Sequence, residues 1–265
     1  MVQKKQIVLF LIACILCVCC ACSSEKKEAL PQLVIGCDTL RPYSYADEDG
    51  NPAGMDVDLA KEACKRMGYE PVFIYIDWDE RDSLLENGDI DCLWSCFSMD
   101  GQEEDYAWAG PYMYSRQVVA VKAESSIKHL TDLNNKRVAV RVGAKAESIL
   151  LNQDDPEIPD VQNVFSLDNM SDVVTALRND YVDACAGYAA AVRDQLQNDG
   201  VDYRFLDEDL NYAKLGVAFL KNGDATIQNA LQETLDAMLA DGTTEQILKS
   251  YGVDTDKVLR RNGDE

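Results

Sequence analysis

Cys92 and Cys96 stand four residues apart, a spacing that can open a zinc site, but no second Cys or His cluster completes it and the only histidine is His129. Acid–base catalysis needs a positioned side chain with a shifted pKa, and the candidates reduce to Asp38, Asp56 and Lys145 with no histidine beside them. The expectation is no metal, no cofactor and no catalytic residue. What remains suits non-covalent recognition: Tyr43 and Tyr45 just after one apolar run, Trp94, Phe97 and Ser98 at the end of another, and the guanidinium groups of Arg116 and Arg141. Strand alternation turns Trp94 and Ser98 away from the side of Phe97, and burial in the sheet is the commoner fate of such a Trp. Asp56, ahead of an apolar helical pattern, reads as a helix cap.

The elements that must position these residues follow from periodicity. Residues 33–37 (LVIGC) read as a strand, Val57, Ala60, Cys64 and Met67 share one helical face behind the caps Asp56 and Asp58, and 71–76 (PVFIYI) reads as the next strand. A short helix ends at Ser83 to Asn87 against Gly88, and 90–95 is a third strand. Strand, helix, strand in this order means a parallel sheet covered on both faces. The pattern restarts with strands at 137–142, 161–165 and 182–186 and helices at 144–151, 170–179 and from Ala189. Two apolar extended runs, 116–122 (RQVVAVK) and 214–220 (KLGVAFL), connect the units, so the chain leaves a first lobe and returns to it. Ile227, Leu231, Leu235 and Met238 make one helical stripe, and Thr243 with Gln246 offers a capping box for a last helix before Gly252. The tail from Asp254 reads as too charged to bury.

The first 24 residues carry a basic start (Lys4, Lys5), an uncharged apolar core from Ile7 to Cys20, and Ala21 directly before Cys22. That is a secretion signal with a core too short to span a bilayer. It resembles a bacterial lipoprotein signal, with Cys22 the lipidated residue. Five of the ten cysteines lie in this segment, and the other five, Cys37, Cys64, Cys92, Cys96 and Cys185, are read as buried free thiols. The formal net charge is −22 and becomes more negative when Lys4 and Lys5 are removed. Such a surface repels nucleic acid and anionic lipid, leaving the lipid as the only membrane contact.

The segments VIGCDTLRPYSY (34–45), DGNPAGMDVDLAKEACKRMGY (49–69), GDIDCLWSCFSMDG (88–101), WAGPYMYSRQVVAV (108–121), HLTDLNNKRVAVRVGAKAE (129–147), YVDACAG (181–187) and LADGTTEQILKSYG (239–252) run in order through nearly all of residues 33 to 252. Together they resemble the solute-binding proteins of family 3, the polar amino-acid receptors of ATP-driven importers. The resemblance implies an α/β, two-lobed type II periplasmic-binding-protein fold, with two doubly covered mixed sheets joined by two hinge strands. The layout is then a signal peptide at 1–21, a tether at 22–32, lobe 1 at 33–117 with 217–252, lobe 2 at 118–216 and a charged tail at 253–265. It also implies a monomer that captures a small polar solute and hands it to an ABC permease in the membrane. The alternatives are a sensor of the same fold that feeds a signalling partner and, further off, a dehydratase-like enzyme. His129 falls at the start of a linker segment, on the surface.

Carried over residue by residue, the resemblance makes Tyr43 part of an aromatic wall, with Tyr45 beside it, and exposes three departures. The arginine that meets a ligand carboxylate is replaced by Gln102. The Gly-Thr-Thr turn reads Gly143-Ala144-Lys145, although Lys145 and helix N-terminal N–H groups near Ala144 still attract an anion. The acid that meets a ligand ammonium falls at Gly187 or Tyr188. An ordinary amino acid held in the ordinary way is therefore not expected. The expected ligand is a less charged solute, a modified amino acid or a short peptide, held by Tyr43, Phe97, Ser98, Gln102 and the Ala144–Lys145 turn, unless Arg116 or Arg141 supplies another carboxylate clamp.

Overall fold

The computed structural model describes residues 29–152, 158, 160–197 and 200–259. The chain divides into two compact units, 1–31 and 32–265, and the second carries all that follows. The signal and the lipidation residue Cys22 lie outside the described residues. Among the described residues no helix is long and apolar enough to cross a membrane.

The first α/β unit consists of β1 (Gln32–Cys37), α1 (Met55–Met67), β4 (Glu70–Tyr75), α2 (Arg81–Asn87) and β5 (Cys92–Leu93), with a small hairpin of β2 (Tyr45–Ala46) and β3 (Pro52–Ala53) beside it. β1 pairs in parallel with both β4 and β5. The second unit comprises β7 (Arg137–Arg141), α3 (Lys145–Asn152), β8 (Asn163–Leu167), α4 (Met170–Arg178), β9 (Ala184–Tyr188) and α5 (Ala189–Leu196), with β7 parallel to β8 and β9. Two long strands, β6 (Tyr106–Lys122) and β11 (Asn211–Leu220), pair antiparallel with each other between the units. They contain the two runs read from sequence as connections. Because they pair along their length, and β11 also pairs with β5 and β6 with β9, the strand path is continuous: β4-β1-β5-β11-β6-β9-β7-β8, with β10 (Tyr203–Phe205) on β6. Helices α6 (Ala225–Ala240), α7 (Thr243–Ser250) and α8 (Thr255–Val258) close the chain.

Apolar periodicity explains most of this. Val57, Ala60 and Cys64 are fully buried, as are Leu231 and Met238 with Leu235 nearly so, on the stripes that their spacing predicts. Three local readings change. The Thr243 capping box is absent: α7 starts after Gly242 at φ 80°, and the Thr243 hydroxyl accepts from the Arg66 guanidinium at 2.8 Å. The described start of the tail is not free, because Thr255 and Val258 of α8 and Leu259 just after it are buried, while Lys257 and Asp254 pair at 3.6 Å on the outside. Asp56 caps nothing: the N-cap of α1 is Gly54, and Asp58 instead accepts from the Tyr251 hydroxyl at 2.6 Å.

The Asp56 carboxylate reaches out of α1 to accept from the Cys96 N–H at 2.6 Å and the Tyr112 hydroxyl at 3.0 Å. Cys96 has φ 52°, a left-handed conformation that costs a side-chain-bearing residue about 1–2 kcal/mol, and the bond from its own N–H holds it there. The result is a sharp departure of the chain from β5. Burial raises the Asp56 carboxyl from an ordinary value of 3.8 to about 7, outweighing the two hydrogen bonds that favour the charged form. Gly54 is pressed against the same region. At φ 121°, a Cβ added there would lie 2.2 Å from the Tyr43 carbonyl oxygen, so only glycine lets α1 begin under the Tyr43 loop.

Two expectations follow. Gly54→Ala should lower the unfolding free energy by at least about 3 kcal/mol, measured by urea titration. Gly50→Ala, with φ 82° but nothing within 4 Å of the new Cβ, should cost about 1 kcal/mol. For Asp56, the folded state holds the proton more tightly than the unfolded chain, so its stabilisation is complete below about pH 4 and is lost as pH rises through about 7. Relative to Asp56→Asn, neutral at every pH, the wild type should lose stability across that window and then level off. A difference independent of pH would contradict the assignment.

Candidate functional site

In both units the parallel strands point their carboxyl ends toward the same seam, and in open α/β sheets that is where ligands bind. Asp38 follows the last residue of β1, Arg141 ends β7, and Tyr188 ends β9. The seam is closed by contacts between the units. Arg141 Nη2 lies 2.6 Å from Asp38 Oδ2, with the two side chains 21% and 18% exposed. The Tyr43 and Tyr188 rings meet edge to face with centroids 5.9 Å apart. Arg41 lies over the Tyr45 ring and 3.7 Å from Asp194 of α5.

Beneath the ion pair lies a buried, uncharged floor. The Tyr43 hydroxyl shares a 2.8 Å hydrogen bond with Ser115 of β6, and the Cys96 thiol meets the hydroxyls of both Tyr43 and Tyr188. Burial, with the Asp56 charge adding to it, pushes all three groups well above their ordinary pKa values, outweighing the Ser115 hydrogen bond that lowers Tyr43 and the tyrosine hydroxyls that lower Cys96. At neutral pH the floor therefore presents phenols and a thiol rather than phenolates or a thiolate. It can donate and accept hydrogen bonds but offers no activated nucleophile. A cavity of about 140 Å³ adjoins it, lined in part by Tyr43, Ser115, Ala189, Arg193 and Tyr251.

Of the residues singled out from sequence, Tyr43, Tyr188 and Arg141 come together here, and Tyr45 and Arg116 line the adjoining cavity with Tyr43. Ala144 and Lys145 lie beside Arg141, but the Ala144 N–H donates to the Arg141 carbonyl at 3.2 Å and the Gly143 N–H to the Glu147 carboxylate at 2.7 Å. The protein's own Glu147 thus occupies part of the turn expected to attract an anion. Phe97 packs elsewhere, in a ring cluster with Trp78, Tyr106 and Trp108 at centroid distances of 5.0 to 5.3 Å. The Gln102 amide donates to the Ser98 carbonyl at 3.2 Å and faces a different groove, with Arg81, Tyr106 and Lys221, while Ser98 Oγ accepts from the Asp100 N–H at 3.2 Å. Arg116 is committed to Asp209, with bonds of 2.7 and 2.6 Å that hold its guanidinium even more firmly protonated. Its side chain also lines the cavity beside Tyr43 and Ser115. His129 is exposed and pairs with Glu208 at 2.9 Å. All five cysteines of the folded part are buried and free.

Sequence reasoning considered Asp38 only as a catalytic acid and missed Ser115 and Cys96 as floor residues. A signal for Asp38 existed: a charged residue immediately past a parallel strand, matched by Arg141 at the equivalent end in the other unit.

Residues 33–254 match the model of the bacterial extracellular solute-binding proteins, family 3. The histidine-binding periplasmic protein of Salmonella typhimurium is 28% identical over 234 residues, covering 84% of this chain and 88% of that protein. A probable histidine-binding protein of Neisseria gonorrhoeae is 27% identical over 218 residues, covering 79% and 78%. Among solved structures, the substrate-binding protein of a Streptococcus pneumoniae ABC uptake transporter with bound histidine superposes with a TM-score of 0.73 at 26% identity, covering 84% of this chain and 93% of that one. Strand order, the seam between the two units and the match over 33–254 agree: the chain belongs to the bacterial extracellular solute-binding proteins of family 3.

Proposed function

We propose that the protein captures a zwitterionic, amino-acid-like solute in the seam and delivers it to the permease of an ABC importer, held at the membrane by a lipid on Cys22. The observation that carries the ligand class is the Asp38–Arg141 pair. Separating two partly buried opposite charges is costly unless each finds a new partner. A zwitterion provides both, its ammonium going to Asp38 and its carboxylate to Arg141 in a charge-assisted, two-pronged contact. A simple cation or anion would leave one of the two unpaired. This clamp replaces the arginine that the family pattern puts where Gln102 stands, and it favours a free amino acid over an uncharged solute.

The two units, 33–117 with 217–252 and 118–216, act as lobes that part about β6 and β11 to admit the solute and close over it. Binding rather than catalysis is favoured by the neutral floor, even though an ancestral amino-acid-binding precursor of a dehydratase is 25% identical with a TM-score of 0.70. The relatives' histidine and arginine ligands support the amino-acid class.

A thermal-shift panel of the twenty standard amino acids, followed by calorimetry on the best, tests the ligand class. Arg141→Ala and Asp38→Ala should each weaken binding at least about tenfold, or about 1.4 kcal/mol, while Gln102→Ala stays within about threefold. Full affinity in both clamp variants, or loss confined to Gln102→Ala, would overturn the proposal. The anchor is checked separately by fatty-acid labelling in cells: label should be incorporated by the wild type and lost in Cys22→Ala.

A further inference from the structure

Gln117 lies on β6 between the two units and is completely buried, yet neither its amide oxygen nor its amide nitrogen has a partner among the described residues. Its backbone is accounted for, since its carbonyl accepts from the Leu210 N–H at 2.8 Å. The side chain is the anomaly. A buried amide left unpaired at both ends costs about 1–3 kcal/mol per group, and native interiors rarely keep one without a reason.

Strand geometry says where this amide points. Residues two apart on a strand share a face, and residues directly opposite on an antiparallel pair share one too. Ser115, two residues before Gln117, bonds to the Tyr43 hydroxyl, and the residue opposite Gln117 on β9 is Tyr188. Gln117 is therefore on the face of β6 that carries the floor of the seam, next to the ring that meets Tyr43 and the thiol of Cys96. Tyr43 and Ser115 satisfy one another, whereas the Gln117 amide is left over.

We infer that Gln117 is a specificity-determining contact, whose amide reads a neutral group that donates and accepts at once, such as a carboxamide, on the solute held between Asp38 and Arg141. This rests on the proposed amino-acid reading of the seam. An amide pairs with another amide through two antiparallel hydrogen bonds, using both of its unpaired ends together. A carboxylate would use only its N–H, and an aliphatic group neither, leaving the amide buried and unpaired in the complex, which is how a hydrogen-bonding site rejects analogues.

The test compares wild type, Gln117→Leu and Gln117→Glu by thermal shift and calorimetry against the twenty standard amino acids, with melting of the ligand-free proteins as a folding control. In the wild type, asparagine or glutamine should bind at least tenfold more tightly than aspartate, glutamate and leucine. Gln117→Leu should lose that preference and at least tenfold in affinity for the amide, while its ligand-free form melts no lower than wild type. Gln117→Glu, which lacks the two amide N–H donors, should lose the preference for asparagine and glutamine, and it decides the question if the leucine variant does not fold. Wild-type binding with affinities and ranking unchanged within twofold in the variants overturns this inference alone. No stabilisation of the wild type by any of the twenty overturns the amino-acid reading, and this inference with it.

Discussion

The ion pair between Asp38 and Arg141 depends on a single topological fact: two parallel α/β units aim the carboxyl ends of their strands at one another across β6 and β11. Neither charge is placed by its own loop. Asp38 is the first residue beyond β1 and Arg141 the last of β7, so sheet register fixes both. Turning either strand's direction or slipping it by one residue would send the side chain to the opposite face. Gly54 lets α1 begin under the Tyr43 loop, Asp56 holds Cys96 in a left-handed turn, and Tyr43 and Tyr188 cover the floor.

The electrostatics are divided by depth. At the upper level, the paired side chains of Asp38 and Arg141 are still about one-fifth exposed. Below them, burial holds Tyr43, Tyr188 and Cys96 neutral, and it draws a proton onto Asp56 in the range where ordinary carboxyls are ionised. The site thus sets neutral, buried donors and acceptors beside one pair of opposite charges. The wider surface, strongly acidic over the whole chain, is unsuited to polyanions.

Much of the fold was legible because it is written in period 2 and period 3.6. The strands at 33–37, 71–76 and 137–142, the stripe from Ile227 to Met238 and the stop at Gly88 all follow from side chains that must be buried on one face. For the third strand and for Arg116, the decisive partner is far away in sequence. The third strand was expected through residue 95 but ends at Leu93, because Asp56, 40 residues earlier, holds the Cys96 N–H and turns the chain out of the sheet. Arg116, a candidate carboxylate clamp in the sequence, is paired with Asp209, 93 residues on. Phe97, a candidate contact from its place at the end of the third strand, packs among the Trp78, Tyr106 and Trp108 rings, and Gln102, a candidate from family position, donates to the Ser98 carbonyl. The tail was judged by its charge alone, although Thr255, Val258 and Leu259 carried the helical spacing that buries them.

The central claim is that a solute takes over the charges that Asp38 and Arg141 now give each other. A crystal structure of the protein with its tightest-binding amino acid tests this most directly. The account predicts the ligand ammonium on Asp38, the ligand carboxylate on Arg141, and the two side chains no longer in contact. An intact Asp38–Arg141 pair with the amino acid bound elsewhere would contradict it.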